Sequence, residues 1–224
     1  MNEDLKNLSK SLGLLLRSHP WHGVTIGKDA PQMVNTYIET VPTDTVKYEI
    51  DKKSGFLKVD RPQKYSSICP TLYGFIPQTY CGARIAQLCR ERTNRPQIVG
   101  DDDPLDICVL TEKTITHGDI IIGAIPIGGF RMIDNGQADD KIIAVMHTDG
   151  LYSQWRDIGD CPPAFIDRLK HYFLTYKDLP GSSERLCEIT GVYDREEALE
   201  VIRRARQDYL EKFPHLESLI QDML

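Results

Sequence analysis

The run VNTYIETVPTDTVKYEIDKKSGFLKVDR, residues 34–61, decides the fold. Residues 34–41 are rich in β-branched and aromatic side chains, and residues 45–50 alternate with period two. Both read as strands. Asp51-Lys52-Lys53-Ser54-Gly55 supplies turn residues before a third strand at 56–61, giving a hairpin with Gly55 at a bulge position. Downstream, apolar runs near 106–111, 119–126, 129–133 and 141–147 continue the strand pattern. Asp134-Asn135-Gly136 marks a tight turn joining the last two as a pair. Helical periodicity dominates the final third. Asp160 before Pro162-Pro163 reads as an N-cap, with Phe165, Leu169, Tyr172, Phe173 and Tyr176 on one face. A second helix starts near Asp194, with Glu197 three residues on as in a capping box, and it buries Ala198, Val201, Ile202, Ala205 and Tyr209. Strands followed by helices, without regular alternation, predict an α+β domain on a small antiparallel barrel or sheet.

Two segments stand apart. Residues 3–17 predict a short amphipathic helix ended by Ser18-His19-Pro20. Residues 81–100 carry Arg84, Arg90, Arg92 and Arg95 against Glu91 alone and read as an exposed excursion with a turn of helix at 83–91. A surface flap or a subunit contact is the role expected of it.

At 224 residues the chain is one large domain or two small ones, and it needs no disulfide staples to bury a core. With 41% hydrophobic and 27% charged residues it is globular rather than disordered. Its formal charge of −6 argues against nucleic acid and against an anionic membrane surface as partners. Leu14-Leu15-Leu16 is too short for a signal segment. The stretch from Ile120 to Phe130 is too short, and too interrupted by Gly and Pro, to span a bilayer. Six cysteines without a C-x-x-C pair fit a reducing cytoplasm, which is the expected location.

The densest chemical signal is Asp101-Asp102-Asp103-Pro104-Leu105-Asp106. Such a run can simply be a solvated acidic loop. Here Asp106 opens the apolar strand Ile107-Cys108-Val109-Leu110, which places an acid at the mouth of a core element, and Pro104 stiffens the spacing. Carboxylates held this close repel unless a cation lies between them, and their hard oxygens suit Mg²⁺ or Mn²⁺. The run lacks the Gly and distant Glu of a calcium loop. A second acidic group, Asp134, Asp139 and Asp140 before Lys141, lies on the expected hairpin, where it is either a polar tip or part of a polynuclear site.

Cationic and phenolic residues complete the inventory. Lys47 and Glu49 share one strand face, Arg61 ends the next strand, Tyr73 follows Pro70, and Tyr176-Lys177 closes a helix. Each has a structural alternative: a surface ion pair, a core tyrosine, a lysine favoured at a helix C-terminus. Together they fit a small, highly charged phosphate compound bound through metal ions, with a carboxylate to orient or deprotonate the attacking water.

The sequence resembles the soluble family I inorganic pyrophosphatases. The resemblance rests on Asp101 to Asp106, which matches D-x-D-P-x-D. It extends to Tyr48 through Gly55, Val59-Asp60-Arg61, Tyr73-Gly74, Ile133 through Lys141 and Tyr176-Lys177-Asp178, in order, from about residue 37 to about residue 180. It implies an OB-like five-stranded antiparallel β-barrel flanked by C-terminal helices, in a single domain over 1–224 with residues 1–33 as an N-terminal extension and 81–100 as an insertion. It also implies hydrolysis of inorganic diphosphate to two phosphates by a metal-activated water, with several Mg²⁺ ions and Mn²⁺ as a possible substitute. Asp101, Asp106 and Asp139 would be principal metal ligands and Asp134 a further one. Asp103 would act on the water. Lys47, Arg61, Tyr73, Lys141, Tyr176 and Lys177 would contact phosphate, and Glu39 and Glu49 would belong to the outer metal and water network.

Compact bacterial members are hexamers and others form smaller assemblies, so a homo-oligomer is expected. Cys69 and Asn135 depart from residues frequent in bacterial members, and His19-Pro20-Trp21-His22 resembles the start of some longer ones. Two other readings compete: an OB-like nucleic-acid-binding module, and a metal-dependent phosphohydrolase acting on another substrate such as a nucleotide.

Overall fold

The computed structural model describes residues 17–178 and 186–214. The helix expected over 3–17 lies outside the described residues except for Arg17. Five strands close a ring: β1 (Val34–Thr40), β4 (Leu72–Phe75), β6 (Asp106–Leu110), β9 (Lys141–Met146) and β7 (Ile120–Asp134), with β7 pairing back onto β1. This is the OB-like arrangement, with one correction to the wholly antiparallel expectation. The β6–β9 seam is parallel, Asp106 standing opposite Lys141 and Leu110 opposite Val145.

The hairpin β2 (Val46–Ile50) and β3 (Leu57–Pro62) forms a separate two-stranded sheet. The short strands β5 (Val99–Gly100) and β8 (Gln137–Ala138) extend the ring, and β10 (Cys187–Tyr193) pairs with β7. Three helices pack outside: α1 (Ala83–Thr93), α2 (Pro163–Thr175) and α3 (Arg195–Lys212).

Strands β6 and β9 are apolar throughout because both of their faces are covered. Ile107, Val109, Ile142 and Ala144 join Ile85, Leu88, Val201 and Ile202 of α1 and α3. Cys108, Leu110, Ile143 and Val145 join Leu169, Tyr172 and Phe173 of α2. All five residues expected on the buried face of α3 are buried, and Asp194 caps it by accepting from the Glu197 backbone N–H.

The structure differs from the sequence expectation at four further places. The two strands expected at 119–126 and 129–133 are one 15-residue strand, bent by a register shift between Pro126 and Gly128. That irregularity lets its first half pair with β1 and its second half with β10. The C-terminal third is not wholly helical, since Cys187–Tyr193 is β10. Asp160 does not cap α2. It completes a reciprocal box with Asp157 on a 3₁₀ turn, while Pro162 precedes α2 and Pro163 opens it. The 81–100 segment is not an exposed excursion either. It is an 11-residue helix whose Ile85, Ala86, Leu88 and Cys89 are buried. Those four side chains supply an apolar stripe, and the arginines flank it, Arg84 and Arg92 pairing with Glu211 and Glu197 of α3 and Arg95 with Glu188 of β10.

Behind the ring, Asp149 is 3% exposed and ties the end of β6 to the loop after β9. It accepts hydrogen bonds from the Thr111 hydroxyl and from the backbone N–H groups of Glu112, Leu151 and Tyr152. Burial pushes its carboxyl up, but these donors outweigh burial and hold it at about 2, against 3.8 in an unfolded chain. The ionised form is thus favoured by folding, so its contribution is complete above pH about 4 and is lost as pH falls toward 2. Asp149→Ala should cost about 1–3 kcal/mol at pH 7 through the donors left unpaired. In urea unfolding, the gap between parent and variant should close between pH 4 and pH 2; a gap that stays constant over that range would contradict this account.

Candidate active site

One cleft of about 290 Å³ gathers all thirteen residues singled out from the sequence: Glu39, Lys47, Glu49, Arg61, Tyr73, Asp101, Asp103, Asp106, Asp134, Asp139, Lys141, Tyr176 and Lys177. They come from distant parts of the chain, and the local fold aims each one. A bulge between Ile38 and Thr40 falls at Glu39, where β1 meets β4. There Gly74 approaches so closely that a Cβ would lie 1.9 Å from the Tyr37 carbonyl oxygen, so no other residue can follow Tyr73 without moving the strand. Glu39 is 6% exposed and accepts from the Ile50 backbone N–H at 2.7 Å, which joins the ring to the end of β2. Burial pushes its carboxyl up to about 8, with the nearby Asp106 adding to the effect.

The acidic loop is fixed by backbone contacts. Asp103 N–H donates to the Asp101 carboxylate at 3.0 Å, and Asp103 C=O accepts from Cys81 N–H at 2.8 Å. Leu105 N–H donates to the Thr79 hydroxyl. Asp102 takes the left-handed conformation with φ 63° and hydrogen-bonds Tyr80, so it leaves the cleft while its neighbours enter it. Across the ring, Asn135 and Gly136 have φ of 47° and 81°, the two-residue turn the sequence signals, and Asp134 lies in the pair just before it. Asp140 also leaves the cleft, whereas Asp139 and Lys141 on either side of it line the cleft.

Lysines are threaded among the acids. The Lys141 ammonium, 2% exposed, donates to Asp106 and, at 2.5 Å, to Asp139. Burial opposes its charge, yet Asp106 and Asp139 hold it well above the usual lysine range. Lys177 pairs with Asp134, Lys52 with Asp103, and Lys47 with Glu49 and, at 3.5 Å, with Asp60. Tyr73 donates to Asp106 at 2.5 Å; burial and that carboxylate hold its hydroxyl well above the usual range. Arg61 lies over the Tyr176 ring at 5.9 Å, as does Lys177 at 5.4 Å.

Asp101 has no such partner among the described lysines. Burial, Asp139 and Asp106 push its carboxyl up to about 9. Asp101, Asp106, Asp134 and Asp139 therefore fit hard divalent cations by donor type and by mutual repulsion. Among the described residues, no three Asp, Glu, His or Cys side chains already close on one point, because the lysines lie between them.

Sequence reading missed three polar residues of the cleft: Lys52, Asp60 and Gln137. Asp60 carried a signal. It is the extra residue of a second bulge, where Lys47 pairs with Arg61 but Tyr48 pairs with Val59, and it turns toward both Lys47 and Arg61. Lys52 lies in the hairpin turn, where no periodicity predicts direction. Outside the cleft, Lys64 donates to the Lys177 carbonyl at 2.6 Å and secures the end of α2.

A closed five-stranded ring that presents carboxylates and cations in one small polar cleft defines a class: a metal-dependent hydrolase of a small phosphate compound. Comparison with known proteins makes the class specific. The family model described as inorganic pyrophosphatase matches residues 36–210. The inorganic pyrophosphatase of Chlamydia caviae is 53% identical over 200 residues, covering 87% of this chain and 92% of that one. Soluble inorganic pyrophosphatase 1 of Arabidopsis thaliana is 34% identical over 198 residues, covering 88% and 83%. The crystal structure of the inorganic pyrophosphatase from Thermus thermophilus superposes with a TM-score of 0.71 at 30% identity, covering 85% of this chain and 98% of that one.

The chain belongs to the inorganic pyrophosphatase family. That membership carries a divalent-metal requirement and removes the nucleic-acid-module reading. Among the described residues no helix is long and apolar enough to cross a membrane.

Proposed function

We propose that the chain hydrolyses inorganic diphosphate to two orthophosphates, and that the cleft is where it does so. The observation that carries this reading is the gathering of four separated aspartates with Lys47, Arg61, Tyr73, Lys141, Tyr176 and Lys177 in one polar cleft of about 290 Å³. That volume suits diphosphate and its ions better than a nucleotide, whose base needs further apolar room.

Diphosphate carries about three negative charges at neutral pH and repels an incoming hydroxide. Asp101, Asp106, Asp134 and Asp139 would hold Mg²⁺, several ions with Mn²⁺ as a substitute, and the bound ions would neutralise phosphate oxygens and lower the pKa of water. Asp103 orients the attacking water and takes its proton. Arg61, Lys177 and Tyr176 grip the departing phosphate, since a guanidinium can hold two oxygens at once. Lys47, Lys141 and Tyr73 donate to the remaining oxygens, while Glu39 and Glu49 order the outer shell. Lys52, bound to Asp103, gives way when substrate enters.

The same reading makes the protein a homo-oligomer, a hexamer or a smaller assembly, and a cytoplasmic enzyme. The six unbridged, buried cysteines support a reducing compartment.

Phosphate release from diphosphate, with and without Mg²⁺ and beside ATP, tests the reading. Fast Mg²⁺-dependent release from diphosphate, slow release from ATP and abolition by a chelator are expected. A folded sample that releases no phosphate from diphosphate with Mg²⁺, Mn²⁺ or Zn²⁺ would overturn it.

A further inference from the structure

Asp139 and Lys141 line the cleft; Asp140 between them points to the opposite side, as alternation along an extended chain requires. Asp140 is 3% exposed, and the two residues that contact its carboxylate, Arg131 and Tyr193, are buried as well. Arg131 of β7 donates to the Asp140 carboxylate through Nη2 at 3.2 Å and Nε at 3.4 Å. The Tyr193 hydroxyl of β10 donates to the same oxygen at 3.2 Å, and the Arg131 guanidinium lies 5.1 Å over the Tyr193 ring. Through Nη1, Arg131 also pairs with Glu197 in the first turn of α3 at 3.0 Å, and Glu197 pairs with Arg92 in the last turn of α1 at 3.0 Å. Two strands, β7 and β10, thus meet directly on Asp140, and α3 and α1 are linked to it through Arg131.

A buried ion pair is a poor source of stability compared with apolar packing of equal volume, so its use here calls for another reason. The backbone supplies one. Residues 139–141 carry two cleft side chains on three consecutive positions. Besides this network, the segment is anchored by Asp139 N–H donating to Met132 C=O at 3.0 Å and by the pairing of Lys141 with Phe130 on one side and Asp106 on the other. The ladder fixes Lys141, where β9 begins, whereas Asp139 and Asp140 lie just ahead of it and are held on the side away from the cleft by the contacts of Asp140. Fixing Asp140 from behind sets the direction in which Asp139 and Lys141 project. We propose that Arg131 and Asp140, steadied by Tyr193 and Glu197, are positioning residues that hold Asp139 and Lys141 in register for divalent-ion binding. This rests on reading the cleft as a divalent-ion site.

Arg131→Lys and Asp140→Glu test it, because both keep the formal charge, so a change in net field does not account for the result. Lysine cannot reach Asp140 and Glu197 together, and glutamate displaces the carboxylate by one methylene. Mg²⁺ binding is measured by calorimetry without diphosphate at a temperature where circular dichroism shows the fold intact. The expected result is at least fivefold weaker Mg²⁺ binding in each folded variant, with kcat reduced and KM for diphosphate within twofold of the parent. The pair Arg131→Met with Asp140→Leu should recover thermal stability but not Mg²⁺ affinity, which a purely structural network would not separate.

Mg²⁺ affinity within twofold of the parent in the folded variants, whatever their melting temperatures, would overturn the proposal. A parent that binds Mg²⁺ but releases no phosphate, beside variants that bind it weakly, would support the clamp and overturn only the diphosphatase reading. A parent that binds no Mg²⁺ would overturn both.

Discussion

Asp103→Asn is expected to lower turnover of diphosphate by a factor of about 10²–10⁴, the usual contribution of a positioned general base. The loop does not depend on the side chain for its shape. Its backbone is held by Cys81 N–H to Asp103 C=O and by Asp103 N–H to Asp101, and both survive the substitution. The side chain is 44% exposed and its ion pair is to Lys52, itself 55% exposed, so the fold loses little when the charge goes. Asparagine matches aspartate in size and still accepts one hydrogen bond, but it does not take a proton at neutral pH. The change should therefore appear in kcat at saturating Mg²⁺ and diphosphate, with the melting temperature and Mg²⁺ affinity close to those of the parent. A loss of less than fivefold in kcat would remove Asp103 as the base.

Why Asp103 could be singled out from sequence, while Lys52 and Asp140 could not, follows from what each type of signal contains. Strands announce themselves through β-branched and apolar runs, so four of the five ring strands are legible, as is the Asn135-Gly136 turn that places Asp134; the four-residue β4, Leu72–Phe75, is too short to show a pattern. The acidic loop is legible because closely spaced carboxylates ahead of an apolar strand repel unless a cation lies between them, and Asp103 stands out within it through the D-x-D-P-x-D resemblance. What sequence cannot supply is direction where periodicity ends. Lys52 sits in a hairpin turn, and only the fold brings it to Asp103, 51 positions away. Asp140 and Asp139 are indistinguishable as letters. Their opposite roles come from strand alternation combined with Arg131 waiting on the far side.

Composition misled at α1, where four arginines draw attention from the stripe Ile85, Ala86, Leu88 and Cys89 that buries the helix. At β10, Gly191 interrupts a short β-branched run that lies between two strong helices. Its pairing with β7 is a long-range fact, 53 residues apart at Cys187 and Asp134.

Lys141→Met should have the largest effect on stability of any single change in the cleft, and that effect should depend on divalent metal. Methionine fills a similar volume and keeps the packing against Phe173, whose ring lies 5.8 Å from the ammonium. What is lost is the positive charge that Asp106 and Asp139 share at a site only 2% exposed. Removing one partner of a buried pair leaves uncompensated charge, at a cost of about 3–5 kcal/mol. In a chelator, the variant should melt roughly 10 °C below the parent, on the usual scaling for a domain of this size. Added Mg²⁺ should close much of that gap, since the ions supply the charge the lysine gave, and ligand that binds only the folded state stabilises it by mass action. Turnover should stay low even at saturating Mg²⁺, by a factor of about 10²–10³, because a donor aimed at phosphate is gone. Calorimetric melting of parent and variant, in chelator and across a Mg²⁺ titration, separates the two losses. Equal melting temperatures in chelator would show that Asp106 and Asp139 do not depend on the lysine. A Mg²⁺-induced rise no larger in the variant than in the parent would show that the ions do not bind where the lysine's charge was removed.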